Sequence, residues 1–316
     1  MKKFTSVQDV PDLPDWLALA RKVKAQPFDF QKYGKNKTLG LVFLNPSLRT
    51  RLSTQKAAQN LGMQVMVMNM QQDGWAIEME DGTVMDGGTQ EHIREAAGVL
   101  SQYCDIIGLR TFPGLKNREE DYAEKVLTKF IQNATVPVLS LESATRHPLQ
   151  SFADLLTIEE FKNKPKPKVV LTWAPHPRAL PQAVPNSFVE WMKKAEVDLT
   201  ITHPEGWELA PEFAEGVPVN HNQDVALEGA DFVYVKNWSA YREYGKTGLE
   251  LHSWMITPEK MQLTNQAKLM HCLPVRRNVV VADAVLDSPQ SIVLQQANNR
   301  TYTAQTVLLK MLGYAG

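Results

Sequence analysis

Residues 38–51 read Thr-Leu-Gly-Leu-Val-Phe-Leu-Asn-Pro-Ser-Leu-Arg-Thr-Arg, and this stretch decides the fold. Its first part, Thr38–Phe43, is an apolar run with the length and composition of a buried strand. The segment that follows, Leu52–Leu61, is rich in Ala, Gln and Lys and predicts a helix. Residues 47–50 are therefore expected at a strand-to-helix turn, on the first turn of that helix.

The strand-to-helix turn has the donors that an anion needs. The first N–H groups of a helix lack partners within it, and the positive end of the helix dipole favours negative charge. The hydroxyls of Ser47 and Thr50 and the guanidinium of Arg49 add donors suited to a phosphate. The alternative is an ordinary N-cap with surface arginines, because Ser and Thr cap helices routinely. The turn lacks the glycines of a P-loop or a dinucleotide-binding fingerprint, so no nucleotide is predicted.

The composition is that of a soluble globular protein. The 316 residues suggest two domains, 43% of residues are hydrophobic, 22% are charged, and the net charge is −1. This charge indicates neither a nucleic-acid partner nor an anionic membrane. No signal peptide is expected, and no apolar run approaches the ~20 residues of a membrane span. Two cysteines, Cys104 and Cys272, cannot form a disulfide framework, so a reducing cytosol is the expected compartment.

The rest of the chain alternates between predicted strands and helices. Strands are predicted at residues 38–43, 64–68, 105–110, 136–140, 168–173, 197–201, 232–235 and 268–271. Helices are predicted at residues 13–23, 90–103 (with Thr89 as N-cap), 122–133, 148–161 and 303–312. Residues 71–87 are predicted to form a long, functional loop, and residues 162–167 a linker. This order predicts an α/β fold with parallel sheets covered by helices on both faces.

Polar and aromatic residues follow the predicted strands. Ligands of open α/β sheets bind beyond the carboxyl ends of the strands. A cleft between two domains is therefore expected to collect Ser47–Thr50, Arg110–Phe112, Glu142–His147, Trp173–Arg178, Lys236–Trp238 and His271–Arg277.

The predicted helix at 148 begins with a proline preceded by a histidine. Pro148 fits the first helical position, whereas His147 is a poor capping residue. The imidazole could instead donate a hydrogen bond to a carbonyl in the cleft, and Gln150 could donate its amide nearby. The alternative is a histidine that the local backbone satisfies.

A cysteine, a set of cationic residues and the histidines are further candidates for a functional site. Cys272 is favoured as a packing or orienting residue over a nucleophile, because the adjacent His271 would point to the other face of a strand. His176 and Arg178 could clamp a carboxylate, whereas Lys236 at a strand end is more often solvated. The histidines lack paired carboxylates at ligand spacing, so no metal site is predicted.

Three motifs in order resemble the carbamoyltransferase (transcarbamylase) family. They are Ser47-Leu48-Arg49-Thr50-Arg51, His147-Pro148-Leu149-Gln150 and His271-Cys272-Leu273-Pro274, and the resemblance covers nearly the whole chain. It implies two parallel-sheet α/β domains: residues 1–147 for carbamoyl phosphate and 148–300 for the amino acid. It also implies a C-terminal helix at 301–316 that returns to the first domain, and a homotrimer with shared active sites.

The resemblance assigns roles residue by residue and implies neither a cofactor nor a metal. The phosphate would be held by Ser47, Leu48, Arg49 and Thr50, with Trp75 reaching in from a neighbouring subunit. The carbamoyl group would face Arg110, His147 and Gln150, with Arg300 on the phosphate–carbonyl side. The backbone carbonyl at Cys272–Leu273 would receive the proton of the attacking amine.

Departures from the common pattern resemble the branch that carbamoylates Nα-acylated ornithine in arginine biosynthesis. Leu48 replaces a threonine, Lys236-Asn237-Trp238 replaces a Ser-Met-Gly loop, and Glu142 and Trp75 match that branch. Gln90 stands where the acetyl-type branch has a glutamate, which would repel a succinyl carboxylate. N-succinyl-L-ornithine is therefore expected over N-acetyl-L-ornithine, bound by Gln90, Glu142, His176, Arg178, Lys236, Cys272 and Leu273. The alternatives are ornithine or putrescine as acceptor, a non-catalytic metabolite-binding module, and Gln90 as a mere first-turn residue of the helix.

Overall fold

The computed structural model describes residues 1–70 and 72–315 and divides into two compact units. The first unit comprises Met1–Pro113, Glu119–Leu149 and Arg300 onwards, and the second comprises Gly114–Arg118 and Gln150–Asn299. The strands are β1 Lys3–Phe4, β2 Thr38–Phe43, β3 Gln64–Asn69, β4 Ile77–Glu78, β5 Glu91–His92, β6 Ile106–Arg110, β7 Val138–Glu142, β8 Lys168–Trp173, β9 Asp198–Thr202, β10 Val219–Asn220, β11 Phe232–Lys236 and β12 Lys268–Met270. The helices are α1 Leu13–Ala25, α2 Gln31–Gly34, α3 Arg49–Asn60, α4 Met70–Asp73, α5 Ile93–Tyr103, α6 Arg118–Tyr122, α7 Lys125–Asn133, α8 Pro148–Phe161, α9 Ala183–Lys194, α10 Pro211–Ala214, α11 Gln223–Leu227, α12 Pro258–Gln262, α13 Asp283–Leu286 and α14 Val293–Met311.

The first unit is built on a parallel five-stranded sheet in the order β1-β7-β6-β2-β3. The chain runs outward from β2 to β3 and then resumes on the other side of β2 with β6. The strand order therefore reverses between β2 and β6, and ligands of such sheets bind at this point. Phe43 and Arg110 pair across it at the carboxyl ends of the two strands.

The second unit also contains a parallel five-stranded sheet, in the order β10-β9-β8-β11-β12. Here the order reverses between β8 and β11, where Trp173 pairs with Lys236. The inner strands β2, β6, β8 and β11 are almost wholly buried, as their apolar runs require. The predicted α/β class, with a helix-flanked parallel sheet in each of two domains, is confirmed.

The segment from residue 71 to residue 93 differs from the prediction. The predicted loop contains β4 and the end of α4, and the predicted helix at 90–103 begins at Ile93. Glu91 and His92 pair in parallel with Ile77 and Glu78, which uses their backbone before the helix can begin. The N-cap is His92, whose ring accepts from the Arg94 N–H, so the expected Thr89 cap is wrong.

The last helix begins at Val293, ten residues before the predicted start at 303. Its early turns bury polar residues, among them Gln296 and Asn299, which hydrogen-bond inside the second unit. The early turns therefore lack the apolar pattern on which a sequence prediction relies, because the residues that they bury are polar. Within residues 1–70 and 72–315, no helix combines the length and the apolar character that crossing a bilayer requires.

Candidate active site

The turn after β2 places the beginning of α3 at the switch point of the first sheet. The helix begins at Arg49, and in the described chain no side chain caps its first turn. Leu48 is the N-cap residue and is 68% exposed. A cavity of about 350 Å³ lies beside the turn and is lined by Ser47, Leu48, Arg51 and neighbouring residues. The predicted strand-to-helix turn is confirmed, and its first-turn N–H groups are suited to an anion.

Arg110, at the end of β6, ties this turn to the neighbouring strand. One terminal nitrogen, Nη1, donates to the carbonyl oxygens of Asn45 and Pro46 at 3.1 and 2.7 Å. The other, Nη2, donates to Glu142 Oε2 at 2.7 Å, and Nε donates to the same oxygen at 3.2 Å. Of the five N–H groups of a guanidinium, one on Nη2 is left for a ligand. Arg110 therefore fixes the shape of the turn as well as offering a charge.

Glu142 and His147 complete a buried charged group beside Arg110. His147 Nε2 lies 3.9 Å from Glu142 Oε2, and both side chains are less than a tenth exposed. Burial disfavours the ionised carboxylate, yet the Arg110 guanidinium, which donates two hydrogen bonds to it, holds the pKa of Glu142 below its ordinary value. Burial lowers the pKa of His147 to about 3, and the charges of Arg300, Arg110 and Arg49 add to that effect. The imidazole is therefore neutral near pH 7 and carries one N–H donor.

Arg300 and Thr50 link the last helix to the phosphate-type turn. Arg300 Nη2 donates to Thr50 Oγ1 at 2.6 Å, and both residues are almost fully buried. The structure therefore brings together six residues predicted for the site, all in the first unit: Arg49, Thr50, Arg110, Glu142, His147 and Arg300.

Glu124 braces the loop between β7 and His147, and sequence reasoning missed it. Its Oε1 accepts from the Ser143 hydroxyl at 2.6 Å and from the Thr145 hydroxyl and N–H at 2.6 and 2.8 Å. Its left-handed backbone, with φ of 49°, places the carboxylate under this loop at the beginning of α7. No sequence signal marks it, because Glu124 stands in a run of ordinary surface-type residues.

The second unit gathers cationic groups at its own switch point. Arg276 Nε donates to His176 Nε2 at 3.2 Å, and His176 Nδ1 lies 2.9 Å from the Arg178 carbonyl oxygen and 3.1 Å from the Arg178 amide nitrogen. Partial burial lowers the pKa of His176, and Lys236, Arg276 and Arg178 lower it further. The buried Lys236 donates to the Asn237 carbonyl at 2.9 Å. A neutral imidazole among three cations is a setting for a carboxylate. Arg276 lies within the His271–Arg277 stretch expected at the cleft, although the sequence analysis gave it no role of its own.

The turn carrying Cys272 and Leu273 is held by its own histidine. His271 Nδ1 accepts from the Leu273 N–H at 2.8 Å, and Leu273 has a left-handed φ of 55°. A branched residue adopts this conformation only where its surroundings impose it. Gln150 is also in this unit, and its Nε2 donates to Asp154 at 2.7 Å. No described residue donates to its buried Oε1, so the free part of this amide is an acceptor as well as a second N–H.

Trp75 and Gln90 lie in the segment between α4 and α5 of the first unit, and both are exposed. Trp75 is 52% exposed, and its indole N–H donates to Glu91 Oε2 at 2.8 Å. Gln90 is exposed, and its N–H donates to the Ala76 carbonyl at 3.0 Å. The alternative that Gln90 is a first-turn helix residue is therefore wrong. In residues 1–70 and 72–315, no three His, Cys, Asp or Glu side chains converge as metal ligands would.

Two family models match the chain over most of its length. Residues 2–160 match the aspartate/ornithine carbamoyltransferase carbamoyl-P binding domain, and residues 181–311 match the Asp/Orn binding domain of the same family. The N-succinylornithine carbamoyltransferase of Bacteroides thetaiotaomicron is 54% identical over 99% of both chains. The N-acetylornithine carbamoyltransferase of Xanthomonas campestris pv. campestris is 37% identical over 88% of both chains.

A solved structure agrees with these relatives. It is an N-acetyl-L-ornithine transcarbamylase in which one glutamate is replaced by alanine, complexed with carbamyl phosphate and N-succinyl-L-norvaline. It superposes with a TM-score of 0.93 at 35% identity, covering 98% of this chain and 100% of the solved one. The chain therefore belongs to the aspartate/ornithine carbamoyltransferase family, and it is an enzyme of the carbamoyltransferase class.

Proposed function

We propose that this enzyme transfers the carbamoyl group of carbamoyl phosphate to the δ-amine of N2-succinyl-L-ornithine in arginine biosynthesis. The amine nitrogen attacks the carbamoyl carbon, the carbon–oxygen bond to phosphate breaks, and the amine proton leaves with the phosphate. The products are N-succinyl-L-citrulline and inorganic phosphate. The observation that carries the proposal is the buried group of Arg110, Glu142 and His147 beside the anion-binding turn.

The geometry of the first unit suits the charges that the reaction develops. Ser47, Leu48, Arg49, Thr50 and Arg300 hold the phosphate, so the leaving group is bound by cations and N–H groups as it gains charge. The neutral His147 donates its N–H to the carbamoyl oxygen, where the tetrahedral oxyanion forms. A charged imidazole would instead be held by Glu142. Arg110 keeps the turn in shape and adds its remaining N–H to the same oxygen.

The second unit supplies the acceptor's binding groups. The Leu273 carbonyl accepts a hydrogen bond from the amine, which orients its lone pair at the carbamoyl carbon. Gln150 accepts from the carbamoyl NH₂ group with its otherwise unsatisfied Oε1. His176, Arg178, Lys236 and Arg276 bind the carboxylates of the amino acid and its acyl group. Orientation of the two reactants contributes much of the acceleration.

Gln90 supports succinyl over acetyl as the acyl group. An uncharged amide here accepts a second carboxylate, whereas a glutamate would repel it and leave it desolvated. The 54% identical relative bears the name of a succinylornithine enzyme. In the solved acetylornithine enzyme, loss of one glutamate accompanies a bound N-succinyl ligand. Trp75, half-exposed on its loop, fits completion of a neighbouring subunit's site in a cytosolic homotrimer.

The test compares acceptors for the purified enzyme. Carbamoyl phosphate is offered with N-succinyl-L-ornithine, N-acetyl-L-ornithine, L-ornithine or putrescine, and carbamoylated products and released phosphate are quantified together. The expected kcat/KM is highest for N-succinyl-L-ornithine, by about tenfold over N-acetyl-L-ornithine, the scale on which one mispaired charge discriminates. A higher value for the acetyl compound would overturn the acyl assignment. Tight binding of carbamoyl phosphate without any product would favour the non-catalytic module.

A further inference from the structure

A buried aspartate that no part of the proposed mechanism uses stands at the centre of the second unit's polar interior. Asp154 lies on α8 and is fully buried. Its Oδ1 accepts from Gln150 Nε2 at 2.7 Å and from Gln296 Nε2 at 2.7 Å. These two short hydrogen bonds join α8 to the early turns of α14.

The shared oxygen fixes the orientation of both amides. A carboxyl oxygen that receives two hydrogen bonds faces an NH₂ group on each side, so neither amide can be flipped. Gln150 must therefore turn its Oε1 away from Asp154, and this oxygen has no donor among the described residues. Gln296 must likewise turn its Oε1 away, and that oxygen accepts the His271 N–H at 2.9 Å.

The second branch continues into the turn that carries Leu273. The His271 backbone is held by Gln296, and His271 Nδ1 accepts the Leu273 N–H at 2.8 Å. Nδ1 is therefore unprotonated, and the ring proton of the neutral imidazole is on Nε2. A continuous chain of hydrogen bonds therefore runs from Asp154 through Gln296 and His271 to Leu273.

We propose that Asp154 is a positioning residue for carbamoyl transfer, acting through Gln150 on one side and through Gln296 on the 271–273 turn on the other. This inference rests on the proposed function. One carboxyl oxygen presents the Gln150 acceptor to the carbamoyl NH₂ group and sets the backbone conformation at Leu273. Without it, the Gln150 amide can flip or change rotamer, and the 271–273 turn loses its anchor.

Variants at position 154 separate positioning from stability. Asp154→Ala removes the acceptor, and Asp154→Leu fills the space without restoring it, which guards against a cavity that prevents folding. Asp154→Asn keeps an oxygen where Oδ1 lies. Asp231→Ala is the matched control: Asp231 is a buried aspartate of the same unit that accepts from the Lys168 N–H and from Asn265 at the amino ends of the strands.

The variants at positions 154 and 231 should affect kcat, KM and the melting temperature differently. Asp154→Ala or Asp154→Leu should lower kcat about 100-fold, the loss that a small misplacement of reacting groups causes, with little change in the KM of the acyl-ornithine. Asp154→Asn should retain kcat within about fivefold, because the acceptor is kept. Asp231→Ala should lower the melting temperature and leave kcat unchanged.

A double-mutant cycle with Gln150→Ala then tests the coupling. If Asp154 acts through Gln150, the double variant is no slower than the slower single variant. Losses that multiply, or a kcat of Asp154→Leu within threefold of wild type, would overturn the positioning role. The cycle uses whichever acyl-ornithine the wild type carbamoylates fastest. A wild type inactive on both acyl-ornithines would instead contradict the proposed function.

Discussion

Both units hold polar groups at the carboxyl ends of a parallel sheet, but the groups differ in charge and burial. In the first unit the groups are ionic and buried: Glu142 is paired with Arg110 at 2.7 Å beside a neutral His147. In the second unit the buried groups include amides arranged around Asp154, and among the cations around His176, Lys236 is buried whereas Arg178 and Arg276 are exposed. Burying a charge requires a partner and complete hydrogen bonding, whereas amides and exposed cations tolerate change.

This difference indicates where the family's common chemistry ends and specificity begins. Carbamoyl phosphate is the invariant reactant in the proposed reaction, and the rigid ionic group of the first unit is suited to it. The acyl chain is the variable part, and two of the residues assigned to it, Gln90 and Arg178, are exposed. Substitutions in the ionic group should therefore abolish activity, whereas substitutions among the acyl-binding residues should redirect it.

The largest effect is expected from Arg110→Met. The substitution removes the charge and the two hydrogen bonds that shape the phosphate turn, and it leaves the buried Glu142 without its ion pair. We expect kcat/KM to fall at least about 1,000-fold, as for loss of a fixed oxyanion donor, and stability to fall by about 3–5 kcal/mol. Steady-state kinetics and urea unfolding measure the two effects. Lys37→Met, which removes the exposed pair with Asp105, should change neither by much. A stable, active Arg110→Met enzyme would remove the contrast between the units.

A second prediction concerns Trp75, the residue assigned to a neighbouring subunit's site. Trp75→Ala alone and Arg49→Ala alone should each lose at least about 100-fold in kcat/KM. In the proposed homotrimer, reassembly from a mixture of the two variants should recover part of the activity, because some sites regain both residues. Activity is measured before and after mixing, and Tyr103→Ala, which truncates another exposed aromatic side chain of the first unit, serves as the control. Properly mixed trimers that stay inactive would count against a shared site.

A third prediction follows from the lowered pKa of His147. The unfolded chain protonates this histidine near its ordinary value of 6.5, whereas the folded protein does so only at about 3. Between these values the unfolded state binds the extra proton, so the free energy of unfolding falls as the pH falls. The lowered pKa of Glu142 acts in the same direction at more acidic pH.

Urea unfolding from pH 7 to pH 4 tests this account. Over the lower part of that range, the free energy of unfolding of His147→Gln should fall less steeply with decreasing pH than that of wild type. The difference in slope should be about 1.4 kcal/mol per pH unit, which corresponds to the uptake of one proton. The pH profile of wild-type activity should likewise contain no transition near pH 6.5 that is absent from the profile of His147→Gln. Parallel stability curves for wild type and His147→Gln would show that the imidazole titrates normally in the fold.

Most residues that the structure gathers around Arg110 could be predicted from the sequence, because each stands at a recognisable position in the local pattern. Ser47–Thr50 stand between a clear strand and a clear helix, and Arg110 and His147 follow strands or precede a proline. Glu124 and Gln296 give no such signal, because their roles depend on contacts across the fold with Thr145 and His271. Asp154 is an intermediate case: it lies four residues after Gln150, a spacing that places both on one face of α8. Gln90 was misplaced in a helix because a two-residue strand pairing has almost no sequence pattern.

The most direct test of the division between chemistry and specificity is the effect of Gln90→Glu on acceptor choice. The ratio of kcat/KM for N-succinyl- to N-acetyl-L-ornithine is measured for wild type, Gln90→Glu and Gln102→Glu, which adds the same charge at an exposed position of α5. Wild type should prefer the succinyl compound, and Gln90→Glu should shift the ratio at least about tenfold towards acetyl, because one unpaired like-charge contact costs a kcal/mol or more. The KM of carbamoyl phosphate should stay unchanged in both variants. A ratio that is the same in all three enzymes would contradict the assignment of acyl specificity to Gln90.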